Sequence, residues 1–153
     1  MALFLSTFTK KIDKKGRVSV PAQFRTALNN ESFGGIIVYP SFVNICIEAC
    51  GMSRIESLSD GIDSLDPFSE ERDAFATAVL GGSTQLQFDS EGRVTLPPEL
   101  LADSGVEEEV VFIGKGQTFE IWEPKAFAVY AKKAREEALA KRGSLRLGGK
   151  PNA

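Results

Sequence analysis

Histidine is absent from the 153 residues, and tryptophan occurs once. Without an imidazole, the commonest general base and a favoured metal ligand are both missing. The two cysteines, Cys46 and Cys50, fall short of the four ligands that a structural zinc takes, so they read as reduced thiols of a cytosolic chain. There is no G-x-S-x-G and no P-loop, and the carboxylates show no catalytic spacing. An enzyme is therefore not expected, nor is a cofactor, a metal or a small-molecule substrate. No run of ~20 apolar residues occurs, which excludes a membrane-spanning helix. The apolar start, Leu3 to Leu5, lacks the basic segment and cleavage site of a signal peptide, so none is expected. What remains is ordinary globular composition, 42% hydrophobic and 25% charged, enough for one domain or two small fused ones.

Negative charge is in slight excess, with a formal net charge of −3, but the signs are segregated. Residues 1–28 hold Lys10, Lys11, Lys14, Lys15, Arg17 and Arg25 against Asp13 alone. Residues 125–150 carry eight Lys and Arg against Glu136 and Glu137. The middle of the chain is correspondingly acidic. Local fields decide which surface meets a polyanion, while the global sum mainly governs solubility.

The chain also repeats itself. Residues 13–25 read D-K-K-G-R-V-S-V-P-A-Q-F-R and residues 89–101 read D-S-E-G-R-V-T-L-P-P-E-L-L. Asp13, Gly16, Arg17, Val18 and Pro21 recur 76 residues later as Asp89, Gly92, Arg93, Val94 and Pro97. A second echo follows, I-I-V-Y…I-C-I-E at 36–48 against V-V-F-I…F-E-I-W at 110–122. This divides the chain into a first unit (1–58), a linker with a helix (59–82), a second unit (83–142) and a disordered tail (143–153). Such a duplication builds a pseudo-twofold object.

Each unit has the same expected order. An apolar strand (Leu3–Phe8; Thr84–Phe88) leads to a tight turn with Asp first and Gly fourth. A short alternating strand follows (Val18–Val20; Arg93–Leu96), then a proline-initiated helix and a hairpin. The hairpin strands are 36–39 with 44–48, and 110–113 with 118–122. Between the units, Met52–Leu58 suits a helix, Ser59–Pro67 a loop and Glu70–Leu80 a second helix stopped by Gly81-Gly82. Glu123-Pro124 opens a final helix to about Arg142, with Phe127, Ala131, Ala134 and Ala138 as its apolar stripe. Trp122 and the phenylalanines are assigned to the core.

The Asp-x-x-Gly-Arg turn is the candidate site. It holds an arginine at the head of a rigid strand, and the aspartate can orient that arginine. A guanidinium so fixed suits phosphate, or guanine O6 and N7, in a bidentate manner. Lys14 and Lys15 at the tip add phosphate contacts. A second reading makes Arg17 and Arg93 purely structural ion-pair partners of a hairpin.

The two motif copies, each followed by proline and its hairpin echo, together with G-K-G-Q-T-F-E-I-W-E-P-K-A-F at 114–127, resemble the MraZ family. That family comprises bacterial transcription regulators of the division and cell-wall gene cluster, and the resemblance covers about residues 3–142. It implies a mostly β, α+β fold: tandem swapped-hairpin units of the AbrB type, interleaved into a pseudo-twofold β-barrel with flanking helices. It also implies a ring-shaped homo-oligomer and double-stranded DNA as partner, in the cytoplasm and on the nucleoid. The family's DNA-binding motif falls on Asp13 with Arg17 and on Asp89 with Arg93. The arginine that often follows the motif's proline is kept as Arg25, while the second copy has Leu101. With Ser90-Glu91 replacing Lys14-Lys15, the first copy is expected to dominate DNA contact. The rival reading is an antitoxin-like protein acting through a protein partner at the acidic middle.

Overall fold

A computed structural model describes residues 2–148. Its eight strands are β1 (Thr7–Lys11), β2 (Arg17–Ser19), β3 (Gly35–Pro40), β4 (Ile47–Cys50), β5 (Thr84–Gln87), β6 (Arg93–Thr95), β7 (Glu109–Gly114) and β8 (Phe119–Trp122). Five α-helices accompany them: α1 (Ala22–Ala27), α2 (Met52–Asp63), α3 (Glu70–Phe75), α4 (Pro98–Ser104) and α5 (Pro124–Ala140). The fold is mixed α+β with antiparallel pairing throughout the described ladders.

The two copies pair with each other strand by strand. β1 lies against β7, β2 against β6, β3 against β5 and β4 against β8. Exchanging the copies leaves this set of pairs unchanged, which is the pseudo-twofold relation expected from the repeat. Six strands form one sheet in the order β1-β7-β8-β4-β3-β5, and β2 and β6 form a separate ribbon. The ladders do not close into the expected barrel. β1 and β5 remain the two ends of the sheet, because each hands the chain through its Asp turn to a three-residue strand that pairs within the ribbon.

Alternation decides what each face buries. Ile36 and Val38 on β3, Ile47 and Ala49 on β4, Val110 and Phe112 on β7, and Phe119 and Ile121 on β8 enter the main core. Phe4 and Phe24 meet Phe119 there, both with centroids 4.8 Å away. The opposite face carries two smaller clusters. Ile37, Tyr39 and Cys50 pack with Met52, Ile55 and Leu58 of α2. Cys46, Val111 and Trp122 pack with Phe127 and Tyr130 of α5. Between them the buried Glu120 accepts from Trp122 Nε1 at 2.8 Å and pairs with Lys115 at 3.1 Å. Lys115 in turn donates to the Tyr130 hydroxyl at 2.6 Å, which roots α5. Both thiols are free and buried, and desolvation pushes each up to about 12.

Several elements differ from expectation for visible reasons. β1 begins at Thr7 rather than Leu3, because Ser6 takes a φ of 79°. Phe4 instead exchanges backbone bonds of 2.6 and 3.0 Å with Gly116. α2 continues to Asp63 through the expected loop, since Ile62 falls one turn beyond Leu58 and is buried. Gly51 offers α2 no side-chain cap, but Glu31 Oε1 accepts from the Ser53 N–H at 2.8 Å. The expected helix 70–80 changes pitch: α3 stops at Phe75 and a π-helical turn, Ala76–Leu80, completes it.

Trp122 is buried, as assigned, but Phe42, Phe68 and Phe75 are not core residues; they are 61%, 95% and 46% exposed. Phe42 lies in the β3–β4 connection, Phe68 in the α2–α3 connection and Phe75 at the end of α3. α5 ends at Ala140 and a short 3₁₀ turn follows at Arg142–Ser144. For residues 149–153 the expectation of disorder lies outside the described residues.

Candidate nucleic-acid interface

The first turn is closed by its own aspartate. Gly16 N–H donates to the Asp13 carbonyl at 3.0 Å, and Asp13 N–H donates to the Arg17 carbonyl at 3.0 Å. The carboxylate then takes three more bonds. Oδ1 accepts from the Lys15 and Arg17 N–H groups at 3.0 and 2.8 Å, and Oδ2 accepts from Arg17 Nε at 2.7 Å. The Arg17 N–H holds the Asp13 carboxyl below its ordinary range. Gly16 has a φ of +83°, where a side chain would be strained, and a Cβ there would stand 3.0 Å from the Leu96 carbonyl.

The second turn reproduces this pattern. Oδ1 of Asp89 accepts from the Glu91 and Arg93 N–H groups, both at 2.9 Å, and Oδ2 accepts from Arg93 Nε at 2.8 Å. The Arg93 N–H lowers the Asp89 carboxyl, and the Asp89 side-chain bond raises Arg93. In addition, Glu91 Oε2 reaches Arg93 Nε at 3.4 Å. These hydrogen bonds engage the guanidiniums through Nε, and both arginine side chains remain partly exposed. The Arg17 side chain is 36% exposed. It is not sealed in the core.

Both arginines belong to the ribbon that unites the copies. Arg17 stands opposite Thr95, Val18 opposite Val94, and Ser19 opposite Arg93. Val18 and Val94 are buried beneath the ribbon. By alternation, Arg17, Ser19, Arg93 and Thr95 share its outer face. The expected site residues Asp13, Arg17, Asp89 and Arg93 thus come together on one surface, with the exposed Lys14 and Lys15 at one end.

Arg25 reaches across to the other copy's turn. It does not attend its own copy's turn. A Cβ on Gly92 would lie 2.7 Å from Arg25 Nη1, so the guanidinium rests on the bare backbone of the second turn. Its Nε donates to the Val20 carbonyl at 3.1 Å. Leu101, the corresponding residue of the second copy, lies against Gly16 of the first turn, 3.5 Å from the same kind of Cβ. Each copy's helix covers the other copy's turn. Acidic residues cross over as well: Glu107, Glu108 and Glu109 line a cleft with Lys11, Asp13 and Lys14. Ser19 and Thr95 share the arginines' face, a placement whose only signal in the sequence is alternation with the two valines.

The family model described as "MraZ protein, putative antitoxin-like" matches residues 3–47 and 79–147. A protein of Rickettsia bellii (strain OSU 85-389), named Transcriptional regulator MraZ, is 56% identical over 147 residues, covering 95% of this chain and 98% of the relative. A Pelagibacter ubique (strain HTCC1062) protein of the same name is 55% identical over 144 residues, covering 94% and 93% of the two chains. These relatives define the class as transcription regulators, which is not a class of enzymes. The solution structure of PHS018 from Pyrococcus horikoshii covers 77% of this chain and 87% of its own at 15% identity and a TM-score of 0.32, too low to bear on the fold. The chain belongs to the MraZ family.

Proposed function

We propose that this transcription regulator binds double-stranded DNA through the β2–β6 ribbon and its two Asp turns. The observation that carries the reading is the common face: two partly exposed guanidiniums, each held by an aspartate through Nε, on one side of the ribbon. A two-stranded ribbon fits the major groove, which is about 12 Å wide, and an end-on arginine suits guanine O6 and N7. Lys14 and Lys15 supply phosphate contacts beside it, and Arg25 braces the second turn. The AbrB-type swapped-hairpin description of units 1–58 and 83–142 is supported by the cross-copy strand pairing.

On this reading the protein works in the cytoplasm, on the nucleoid, at repeated promoter boxes of the division and cell-wall cluster. It does so as a ring-like homo-oligomer. One ribbon is a small site, and linking several raises avidity by about 10²–10⁴. Exposed Phe42, Val43 and Ile45 in the β3–β4 connection offer apolar surface for self-association. The test is recovery of fragments of the organism's genomic DNA by the purified protein. Enrichment of discrete promoter fragments supports the reading; uniform recovery contradicts it.

A further inference from the structure

The outer face of the ribbon carries two hydroxyls as well as two arginines. Its register sets Arg17 across from Thr95 and Ser19 across from Arg93. Leu96 N–H donates to the Gly16 carbonyl at 2.8 Å, and Val20 N–H to the Gly92 carbonyl at 3.2 Å. In an antiparallel ladder, bonded and non-bonded pairs alternate. The pairs Arg17–Thr95 and Ser19–Arg93 are therefore the non-bonded kind, in which Cα atoms stand about 4.5 Å apart and side chains are closest. Each copy's arginine thus has the other copy's hydroxyl as its immediate neighbour. Two residues of strand advance by about 6.6 Å, close to two base-pair steps.

The hydrogen bonds that fix the arginines run through Asp13 and Asp89, and neither hydroxyl takes part in them. Ser19 is partly exposed and Thr95 exposed. Neither contributes to the core below, which Val18 and Val94 fill. On strand propensity, Thr has a reason to be there and Ser little.

We infer that Ser19 and Thr95 are specificity-determining residues, each hydrogen-bonding the edge of a base pair next to the one its neighbouring arginine reads. This rests on the DNA-binding reading above. A hydroxyl both donates and accepts, so it serves any base edge that the arginine leaves within reach. Two half-readers related by the pseudo-twofold result: Arg17 with Thr95, and Arg93 with Ser19. Thr95 brings a methyl that Ser19 lacks, so the half-readers are not equivalent and the preferred site is an imperfect inverted repeat.

The test uses the full chain and a duplex library with a randomised stretch between constant flanks, at matched salt. Wild type, S19A, T95A, T95V and Arg17→Ala are compared by base preference at each position, and by melting temperature. S19A is expected to lose about two- to tenfold of its preference at one base pair. T95A and T95V lose as much at a second base pair, and total affinity for unselected duplex stays unchanged. Arg17→Ala flattens the preference at its own base pair and weakens selection as a whole.

If the hydroxyl variants select the same bases as wild type, or weaken all sequences equally, the hydroxyl assignment is overturned while the DNA reading stands. A lowered melting temperature in S19A or T95A that accompanies weaker binding also overturns it. A wild type that selects no sequence overturns both.

Discussion

In the first turn, Lys14 and Lys15 are exposed at the tip, and Glu107–Glu109 of the other copy line a cleft with Lys14. In the second, Ser90 and Glu91 occupy the tip, Glu91 reaches Arg93, and Arg25 of the other copy rests on Gly92. The hydrogen bonds of the two turns nevertheless agree to about 0.1 Å. Geometry here is set locally, by an aspartate that accepts, a glycine that tolerates positive φ and an arginine that donates. Electrostatics draws on both copies: Glu91 acts on Arg93 within its own turn, while Glu107–Glu109 and Arg25 arrive from across the repeat. A charge tally along either segment therefore misses the charged residues that the other copy brings to its turn.

Arginine truncation separates the turns most strongly. Arg17→Ala removes a guanidinium whose Nε has one carboxylate partner, beside two lysines; specific binding is expected to fall by about ten- to a hundredfold. Arg93→Ala is expected to cost less, because Glu91 as well as Asp89 competes for that guanidinium. Titrations of a selected duplex at matched salt compare the two. A larger loss for Arg93→Ala would reverse the ranking.

Glycine substitution comes next and reads stability. G16A and G92A both force a side chain into positive φ, at about 1–2 kcal/mol each. G16A should be the worse, since its Cβ meets a backbone carbonyl whereas that of Gly92 meets a movable arginine. Urea midpoints at constant slope measure this, and equal midpoints would remove the distinction.

Arg25→Leu makes the second turn's cover resemble the first's. If Arg25 also touches phosphate, the slope of log K against log salt should fall by about 0.9. An unchanged slope restricts Arg25 to bracing.

The smallest effect is acid titration. Both aspartates are held below the ordinary 3.8. A depressed carboxylate stabilises the fold fully above its unfolded pKa, and that contribution is lost as pH falls through the lower folded value. The turns should therefore be indifferent to pH above about 5 and loosen together below 3.8. Carboxyl carbon shifts of Asp13 and Asp89 followed by NMR give both midpoints, and either one above 3.8 would contradict the bonding described.

The turns, the short strands and the proline-led helices were legible in the sequence because residues within a few positions of one another decide them. The extension of α2 was hidden, since Gly61 argues locally for a loop while burial of Ile62 overrides it. The placement of Arg25 was hidden too. Its contact is with Gly92, far along the chain, and depends on strand pairing across the copies. The pairing of each arginine with the other copy's hydroxyl has the same origin. Alternation gives the face of Ser19 and of Thr95, but only register gives their neighbours.

The ribbon as a reading head is tested most directly by one comparison: genomic fragments recovered by wild type and by the double variant Arg17→Ala/Arg93→Ala, with melting temperatures alongside. The account predicts discrete fragments for the wild type and no enrichment for an equally stable variant. Recovery of the same fragments by both proteins would contradict it.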